Sequence, residues 1–384
     1  MKTETFTYRF AAAVVCLLAQ ISWAQAKVTV SRIPTGGMQP QTAVDRRGVV
    51  HLIYLKGEPA HCDIFYSKSG DDGANWSDPI KVNSQNGSAI AVGTVRGAHM
   101  ALGRNSCVHV AWMGSDKATP KAPGKMNPML YTRLRDDGSG FEEQRNLITS
   151  RPGVDGGGSV AADESGNVFV GWHAPESIGA GEQSRQVWVS RSTDDGKTFA
   201  PEVSISDRKT GSCGCCGMRM AFADGKLLVL YRAAAEMTHR GMYLVQVTPD
   251  LQHRQSREIA PMEAGTCIMS TAALASRPGV AVAAWETDGQ VQWEAISPDA
   301  SAHDPGAKVK EGRKHPALSV NEAKQVLLVW AEGTGWNKGG SIHWQGYTTG
   351  GMPVPGSDGK AGGLGVWGSP TVFPTQIGDF VILY

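Results

Sequence analysis

The stretch Ser192-Thr193-Asp194-Asp195-Gly196-Lys197-Thr198-Phe199 decides the fold. It predicts a tight hairpin turn, because the strand-like sequence VWVS precedes it and VSIS soon follows. Aspartate carboxylates accept backbone N–H bonds in such turns, and glycine readily adopts the positive φ that other residues resist. The aromatic ring at the end of the stretch can pack beneath the turn. We therefore expect two antiparallel strands to be joined here.

Two further stretches repeat this pattern. A near copy, SGDDGANW, spans residues 69–76, and a degraded copy, RDDGSGF, spans residues 135–141. Strand-like sequence precedes each of them. These strings resemble the Asp-box repeat of sialidases and related β-propellers. The resemblance implies a propeller fold in which the Asp boxes are structural and lie away from the active site.

A longer phrase recurs along the chain: a short strand of small residues, a turn, and an apolar strand that ends in an aromatic residue. Its copies span residues 41–54, 99–112, 158–172, 217–231, 270–285, 316–330 and 369–384. The spacing of roughly 46 to 60 residues is typical of propeller blades. The sequence thus predicts an all-β propeller of four-stranded antiparallel blades, seven by this count.

The seventh phrase ends at Tyr384 and leaves no room for outer strands. We expect the N-terminal strand 27–33 to close this last blade, which would remove an exposed sheet edge. Sialidases usually have six blades, so a six-bladed sialidase-like ring is the alternative.

Composition limits the classes of partner. The 37 lysines and arginines nearly balance the 36 aspartates and glutamates, which gives a formal net charge of +1. This balance argues against a general nucleic-acid or anionic-membrane surface. A radially repeated all-β fold can reach this size as one unit, so residues 27–384 are predicted to form a single domain.

Residues 1–26 have the pattern of a cleaved signal peptide. Lys2 and Arg9 precede an apolar run, and Ala24-Gln25-Ala26 offers the small residues that a signal peptidase recognises. The run is too short for a comfortable membrane span, and no other segment is apolar enough to cross a bilayer. We expect cleavage before Lys27 and a secreted or periplasmic protein, whose six remaining cysteines would favour disulfides.

Propeller topology places the loops before each inner strand and after each second strand on one rim, called the top face here. Binding sites of propellers usually lie there, so we expect a small-molecule or glycan ligand at this face. Its loops are rich in Arg, His, Cys and Glu, and Trp336 could stack on a sugar ring. The tryptophans that end the repeated phrases are expected to pack between blades, and His51, His99 and His109 to be packed or surface side chains.

The sialidase resemblance also implies catalytic residues. Sialidases carry an Arg-Ile-Pro motif whose arginine helps to bind the substrate carboxylate, and this chain has Arg32-Ile33-Pro34 before the first blade. Guanidinium groups bind planar anions through paired hydrogen bonds. A retaining mechanism would add a Tyr nucleophile with a Glu partner, and an acid/base carboxylate. The candidates that match this set are Arg32, Arg232 or Arg240, Arg313, Glu236, Glu58 and either Tyr231 or Tyr384.

Cysteines form the other unusual feature of the top face. Cys213, Cys215 and Cys216 share one loop, and Cys267 lies in the corresponding loop of the next blade. One reading is a disulfide between Cys267 and a member of this group. The other is a soft metal, copper or zinc, bound by these thiolates with His239 nearby. The loop lacks the repeated CxxC pairs of structural zinc sites, so we expect the protein to require no cofactor, with the soft metal as the alternative.

Together these features indicate an exported, sialidase-like Asp-box propeller that binds a ligand, a glycan or a metal and carries an incomplete sialidase catalytic set. The alternative is an exo-α-sialidase, a retaining glycoside hydrolase that removes terminal sialic acid. The sequence leaves open whether the chain is an enzyme.

Overall fold

A computed structural model describes residues 26–236, 238–266, 268–297 and 300–384. Nearly all regular structure in these ranges is β-strand. Three short 3₁₀ helices interrupt loops, at Arg104–Ser106, Pro123–Lys125 and Glu182–Ser184. No helix in the described ranges is long and apolar enough to cross a membrane. Residues 1–25 of the predicted signal peptide lie outside these ranges.

The strand β1 (Val28–Ser31) is followed by three blades of four strands each. Blade one holds β2 (Met38–Val44), β3 (Val50–Glu58), β4 (His61–Ser69) and β5 (Ile80–Lys81). Blade two holds β6 (His99–Leu102), β7 (Val108–Met113), β8 (Met129–Arg133) and β9 (Arg145–Asn146). Blade three holds β10 (Ser159–Ala162), β11 (Val168–Pro175), β12 (Arg185–Ser192) and β13 (Val203–Ser204).

Four more blades complete the chain. Blade four holds β14 (Arg219–Ala223), β15 (Lys226–Arg232), β16 (Met242–Val247) and β17 (Arg254–Ala260). Blade five holds β18 (Ala272–Arg277), β19 (Val280–Thr287) and β20 (Gln290–Ala295). Blade six holds β21 (Arg313–Val320), β22 (Gln325–Glu332), β23 (Gly340–Thr348) and β24 (Gly359–Leu364), and blade seven holds β25 (Thr371–Pro374), β26 (Phe380–Leu383) and β1.

The first strand of each blade is the innermost, and these inner strands contact one another in sequence around the ring. The strand β25 contacts β2, which closes the circle. The strand β1 pairs in parallel with β26, from Val28 opposite Phe380 to Ser31 opposite Leu383. The predictions of seven blades and of closure by the N-terminal strand are therefore confirmed.

Five of the seven blades have the four antiparallel strands that the sequence predicts. Among the described residues, blades five and seven have three strands. In blade five, an isolated bridge between Trp293 and His303 takes the place of an outer strand. In blade seven, β1 is the third and outermost strand, beside β26.

The Asp boxes form the self-bonded turns that the sequence predicts. Ser192 Oγ donates to Asp194 Oδ1 (2.7 Å) and accepts a bond from the N–H of Gly196 (2.9 Å). Asp194 in turn accepts bonds from the backbone N–H (2.9 Å) and hydroxyl (2.6 Å) of Thr198. Gly196 has a φ of +79°, where a Cβ is disfavoured. Ser69 and Asp71 make the corresponding bonds in blade one.

The degraded copy lacks the serine, which Leu134 replaces. Its turn is closed by backbone bonds from Gly138 N to Arg135 O (2.8 Å) and from Arg135 N to Gly140 O (2.9 Å). Ser139 N also donates to Asp137 Oδ1 (2.9 Å). The blade-three box also fastens neighbouring blades, because Asp195 Oδ2 lies 3.2 Å from the buried Arg133 of blade two. This contact explains why the second aspartate of that box is buried.

Apolar side chains fill the spaces between blades, as the period-two strand patterns require. The phrase-ending residues Trp112, Trp172 and Trp285 are fully buried, and Trp330 nearly so. Their burial confirms that they pack between blades. His51 and His109 are also buried, and each bonds to a tyrosine hydroxyl, of Tyr66 and Tyr131.

Candidate functional site

The inner strands surround a central channel whose upper mouth is polar. Its cavity has a volume of about 160 Å³ and narrows between the first residues of the inner strands. The side chains that carry its chemistry are His99, Ser159, Arg219, Thr271 and His315. They come from blades two to six, so the ring itself brings together residues that are up to 216 positions apart (315 − 99) in the sequence.

Arg219 is the one channel-mouth residue in this group with a permanent charge. Its Nη1 donates to His99 Nε2 (2.8 Å) and to Met218 O (3.0 Å). None of the described carboxylates lies within ion-pair distance of it. Burial lowers the pKa of Arg219 to about 10, which leaves it protonated at neutral pH. The channel mouth thus holds an enclosed cation with no counter-ion from the described chain.

His99 is neutral beside this cation. Burial and the charge of Arg219 hold its pKa well below the usual range. Because a guanidinium can only donate, Nε2 of His99 accepts the bond and the imidazole proton lies on Nδ1. His99 is buried, lines the channel and orients Arg219 through this bond.

Glu286 organises the opposite side of the mouth. Its Oε1 accepts bonds from Thr271 N (3.0 Å), Thr271 Oγ1 (2.7 Å) and His315 N (2.9 Å). The carboxylate is buried, and these donors come from the starts of β18 and β21. Burial lowers the pKa of His315, whose ring lies in the same cavity wall. Glu286 therefore fixes the neighbouring blades five and six around the channel.

The cysteine loop runs directly into Arg219. Cys213 and Cys216 are buried, free thiols whose sulfur atoms lie 3.2 Å apart, and Cys215 Sγ is 3.5 Å from Cys213 Sγ. The three sulfur atoms all lie within 4.8 Å of one another, the spacing of a group that could hold a metal ion. Cys215 is engaged in a disulfide, however, so Cys213 and Cys216 are the thiols of this group that could bind one. Tetrahedral zinc–thiolate bonds of about 2.3 Å would place two sulfurs about 3.8 Å apart, wider than either measured pair. The predicted pairing with Cys267 falls on a residue outside the described ranges.

Blade three supports this loop closely. His173 is buried and its Nε2 bonds to Cys216 O at 2.9 Å. A Cβ on Gly156 would lie 2.4 Å from Gly214 O, so only glycine allows the two loops to approach this closely. The next residue back, Asp155, lies 3.7 Å from Arg96 and 3.9 Å from Arg185.

Arg232 and Arg240 lie beside the cysteine loop, as predicted for the top face, and both are buried. Arg232 donates to Ser270 Oγ (2.8 Å), to Arg240 O (2.6 Å) and to Glu286 O. Arg240 donates to Glu182 Oε2 at 2.9 Å. Their guanidinium groups are thus engaged with the protein itself.

The other two predicted arginines lie elsewhere. Arg32 is exposed, donates to the carbonyls of Gly363 (2.7 Å) and Gly362 (3.2 Å) at the edge strand of blade six, and covers the ring of Tyr384 at 3.9 Å. Arg313 is buried against Glu332 at 3.3 Å and donates to Ala307 O at 2.8 Å. The described contacts bring Arg232 and Arg240 together but join neither to Arg32 or Arg313.

The remaining predicted residues are dispersed. Glu58 is exposed and accepts a bond from Ala60 N (3.1 Å) in its own hairpin, and Glu236 is exposed. Tyr231 is buried with its hydroxyl 2.8 Å from Thr210 Oγ1, and burial raises its pKa. His239 lies between Glu258 and Glu263, at 2.6 Å from each, rather than against Cys213 or Cys216.

Sequence reasoning missed Arg219 because it treated the inner strands as structural. A signal was present: the first inner-strand position is His99, Ser159 and Arg219 in successive phrases, polar each time. Residues that start inner strands converge on the channel mouth, so a charged one there points to a site.

No known family model matches the sequence, and no curated protein sequence matches it. Solved structures do match, at low identity. One is a PL25 ulvan lyase, with a TM-score of 0.54 and 11% identity over 88% of this chain and 87% of the lyase. Another is the α-L-arabinanase of Penicillium chrysogenum, with a TM-score of 0.51 and 13% identity over 85% of this chain and 98% of the arabinanase. The NanB sialidase of Streptococcus pneumoniae also matches, with a TM-score of 0.50 and 9% identity over 85% of this chain and 68% of the sialidase. The chain is therefore a seven-bladed, sialidase-like β-propeller.

Proposed function

We propose that this protein is an exported propeller that binds acidic carbohydrate at the channel mouth, where Arg219 receives the carboxylate or sulfate group of a sugar. The single observation that carries the proposal is the enclosed guanidinium of Arg219 without a carboxylate partner among the described residues. A charge withdrawn from water is costly unless it is paired. An anionic ligand would supply the missing partner.

The free donors of Arg219 suit such a ligand. His99 and Met218 O occupy Nη1, while Nε and Nη2 make no hydrogen bond with the described residues. These two N–H groups form the edge of guanidinium that binds a planar anion with two parallel bonds. His99 holds that edge toward the cavity.

The size of the mouth fits one charged group. Its volume of about 160 Å³ lies below the range of about 300–1,000 Å³ for pockets that enclose whole ligands. The rest of a sugar chain would extend over the top face. Trp336 is 61% exposed there and packs edge-to-face on Trp367 with ring centroids 4.7 Å apart. A Cβ on Gly93 would lie 3.8 Å from its ring, and the next residue, Thr94, lines the cavity. Trp336 is therefore placed to stack on a sugar ring.

Structures of the same fold act on or bind sugars, including acidic ones. The ulvan lyase is described with a bound segment of glucuronic acid and sulfated rhamnose. The Trypanosoma rangeli sialidase is described with sialic acid. These ligands carry the kind of anion that Arg219 would receive, and they support the chemical class of the proposal.

Isothermal titration of the mature protein with glucuronate, N-acetylneuraminate and neutral galactose tests this function. We expect both acids to bind and galactose to bind at least tenfold more weakly. Losing hydrogen bonds to a charged group costs about 1.5–3 kcal/mol, so Arg219→Met should weaken acid binding by about 10- to 150-fold. Trp336→Ala should weaken it less, and Arg46→Ala, at an arginine with an 81% exposed side chain, should leave it unchanged. Equal binding by wild type and Arg219→Met refutes the proposal.

The exo-α-sialidase alternative requires several arginines around one carboxylate. Arg32 contacts the edge of blade six, whereas Arg313 is paired with Glu332. The binding reading needs only Arg219 and His99, and so it is the one we favour. A fluorogenic sialoside distinguishes the two: the binding function predicts no release of fluorophore.

A further inference from the structure

We infer that Cys213 and Cys216 form a reversible dithiol–disulfide site, oxidised by a disulfide-bearing small molecule or protein. The pair has the Cys-x-x-Cys spacing, and both thiols are free and 1% exposed. Their sulfur atoms lie 3.2 Å apart, within hydrogen-bonding distance. A short side-chain rotation would bring them to the bond length of a disulfide, about 2.05 Å.

The surroundings of Cys216 favour a thiolate. Its Sγ accepts a bond from the backbone N–H of Ser270 at 3.4 Å, and the Ser270 hydroxyl is bonded to Arg232. Arg232 is a buried cation whose donors reach only carbonyls, a hydroxyl and a thioether among the described residues. A thiolate on Cys216 would therefore be stabilised by the nearby charge of Arg232, which it would share with the buried carboxylate of Glu286.

The exchange balances in two steps. The Cys216 thiolate attacks one sulfur of the oxidant, forms a mixed disulfide and expels the other sulfur as a thiolate. Cys213 then passes its proton to a thiolate and attacks Cys216 Sγ, which forms the Cys213–Cys216 bond and expels the second half of the oxidant. The pair loses two electrons, and the oxidant is reduced to one thiol and one thiolate. Both thiols are 1% exposed, so the exchange requires the loop to open.

Oxidation removes the thiolate and leaves Arg232 with Glu286 as its remaining nearby anion. The reduced form is therefore stabilised, as in dithiols of high reduction potential. We expect a disulfide that is easily reduced, in contrast to a permanent structural bridge.

Equilibration of the full mature protein in glutathione buffers of varied redox potential tests this inference. After acid quenching and alkylation, peptide mass spectrometry should show Cys213 and Cys216 alkylated in reducing buffer and linked to each other in oxidising buffer. Cys62 is an internal control: it is equally buried, but burial raises its pKa to about 12, so it should remain a thiol throughout. Low reactivity of Cys62 before denaturation also reports that a variant is folded.

Variants sharpen the result. Arg232→Met should shift the midpoint potential of the Cys213–Cys216 pair toward more reducing values, and Arg232→Lys should shift this potential less. Cys213→Ser should stop the exchange at the mixed disulfide, so that Cys216 carries glutathione in oxidising buffer. The inference is overturned if both thiols stay reduced over the whole range, or if Cys216 links only to Cys215. It is also overturned if a bound metal, detected by elemental analysis, protects the thiols from oxidation.

Discussion

Replacing Arg219 by methionine is expected to make the folded protein more stable while it removes acidic-sugar binding. Methionine keeps much of the length of the side chain and fills irregular space well. The pKa of Arg219 falls from 12.5 to about 10 because the group is withdrawn from water. At about 1.4 kcal/mol for each pKa unit, the charged form destabilises the fold by about 3 kcal/mol at neutral pH. The variant removes this cost.

Urea unfolding followed by fluorescence measures the change, with Arg133→Met as the matched control. Arg133 is also enclosed, but it contacts Asp136, Asp195 and Glu142. Its removal leaves buried acid unpaired and should cost about 3–5 kcal/mol. The two substitutions are therefore expected to shift the urea midpoint in opposite directions.

Ligand provides the second half of this test. Glucuronate at 100 times its dissociation constant should stabilise the wild type by about 2.7 kcal/mol and Arg219→Met by almost nothing. Most core substitutions destabilise a protein, so a stabilising one is informative. If Arg219→Met destabilises the fold as strongly as Arg133→Met does, the charge of Arg219 is already compensated and our reasoning about the channel mouth is wrong.

Three further outcomes are expected. Asp194→Ala should lower the free energy of unfolding by about 1–2 kcal/mol at pH 7, by analogy with lost capping bonds. The hydrogen bonds of Asp194 lower its pKa to about 2, so the difference in unfolding free energy between the variant and the wild type should shrink as the pH falls from about 4 to 2. Glu286→Ala removes the acceptor of three buried donors and should lower the free energy of unfolding, measured by chemical denaturation, by more than about 3 kcal/mol. Glu286→Gln keeps an acceptor oxygen and should lower it less. Equal effects of the two substitutions would contradict this role of Glu286. Hydrogen bonds to Glu263 and Glu258 raise the pKa of His239. The contribution of its charged ring to stability is therefore complete below the pKa of the unfolded state and is lost as the pH rises through the pKa of the folded state. His239→Gln should be less stable than the wild type at pH 5.5 and equal to it at pH 9, and an NMR titration that gives His239 a pKa of 6.5 or lower would refute this.

The fold could be predicted because its signals are local. Each Asp box encodes its own turn through Ser, Asp and Gly, and each repeated phrase encodes one inner hairpin. Counting the phrases gave the blades. The number of strands in a blade was less predictable, because a third or fourth strand depends on edge pairing such as that between Trp293 and His303 rather than on a repeated sequence.

The site was only partly predictable. The cysteine loop, Arg232 and Arg240 were correctly expected near one another, since their loops follow from the strand order. Arg32 matches a sialidase tripeptide, but its strand lies third from the axis, and a tripeptide carries no information on radial position. Arg219 was missed because burial and the absence of an acidic partner are tertiary properties. Neither can be read from the residue's neighbours in sequence.

The parallel pairing of β1 with β26 also has a consequence for biosynthesis. A nascent chain grows from its N-terminus, so Val28–Ser31 must wait without its partner until Phe380–Leu383 has been made. Until then, the first six blades form an incomplete ring, and the unpaired strand β1 could pair with other chains instead. The hydrogen bond from Lys27 N to Asp379 Oδ1 (2.8 Å) lies at one end of the pairing between β1 and β26. Completion of the ring is thus a late event, and slow synthesis or loss of the last few residues should favour aggregation over folding.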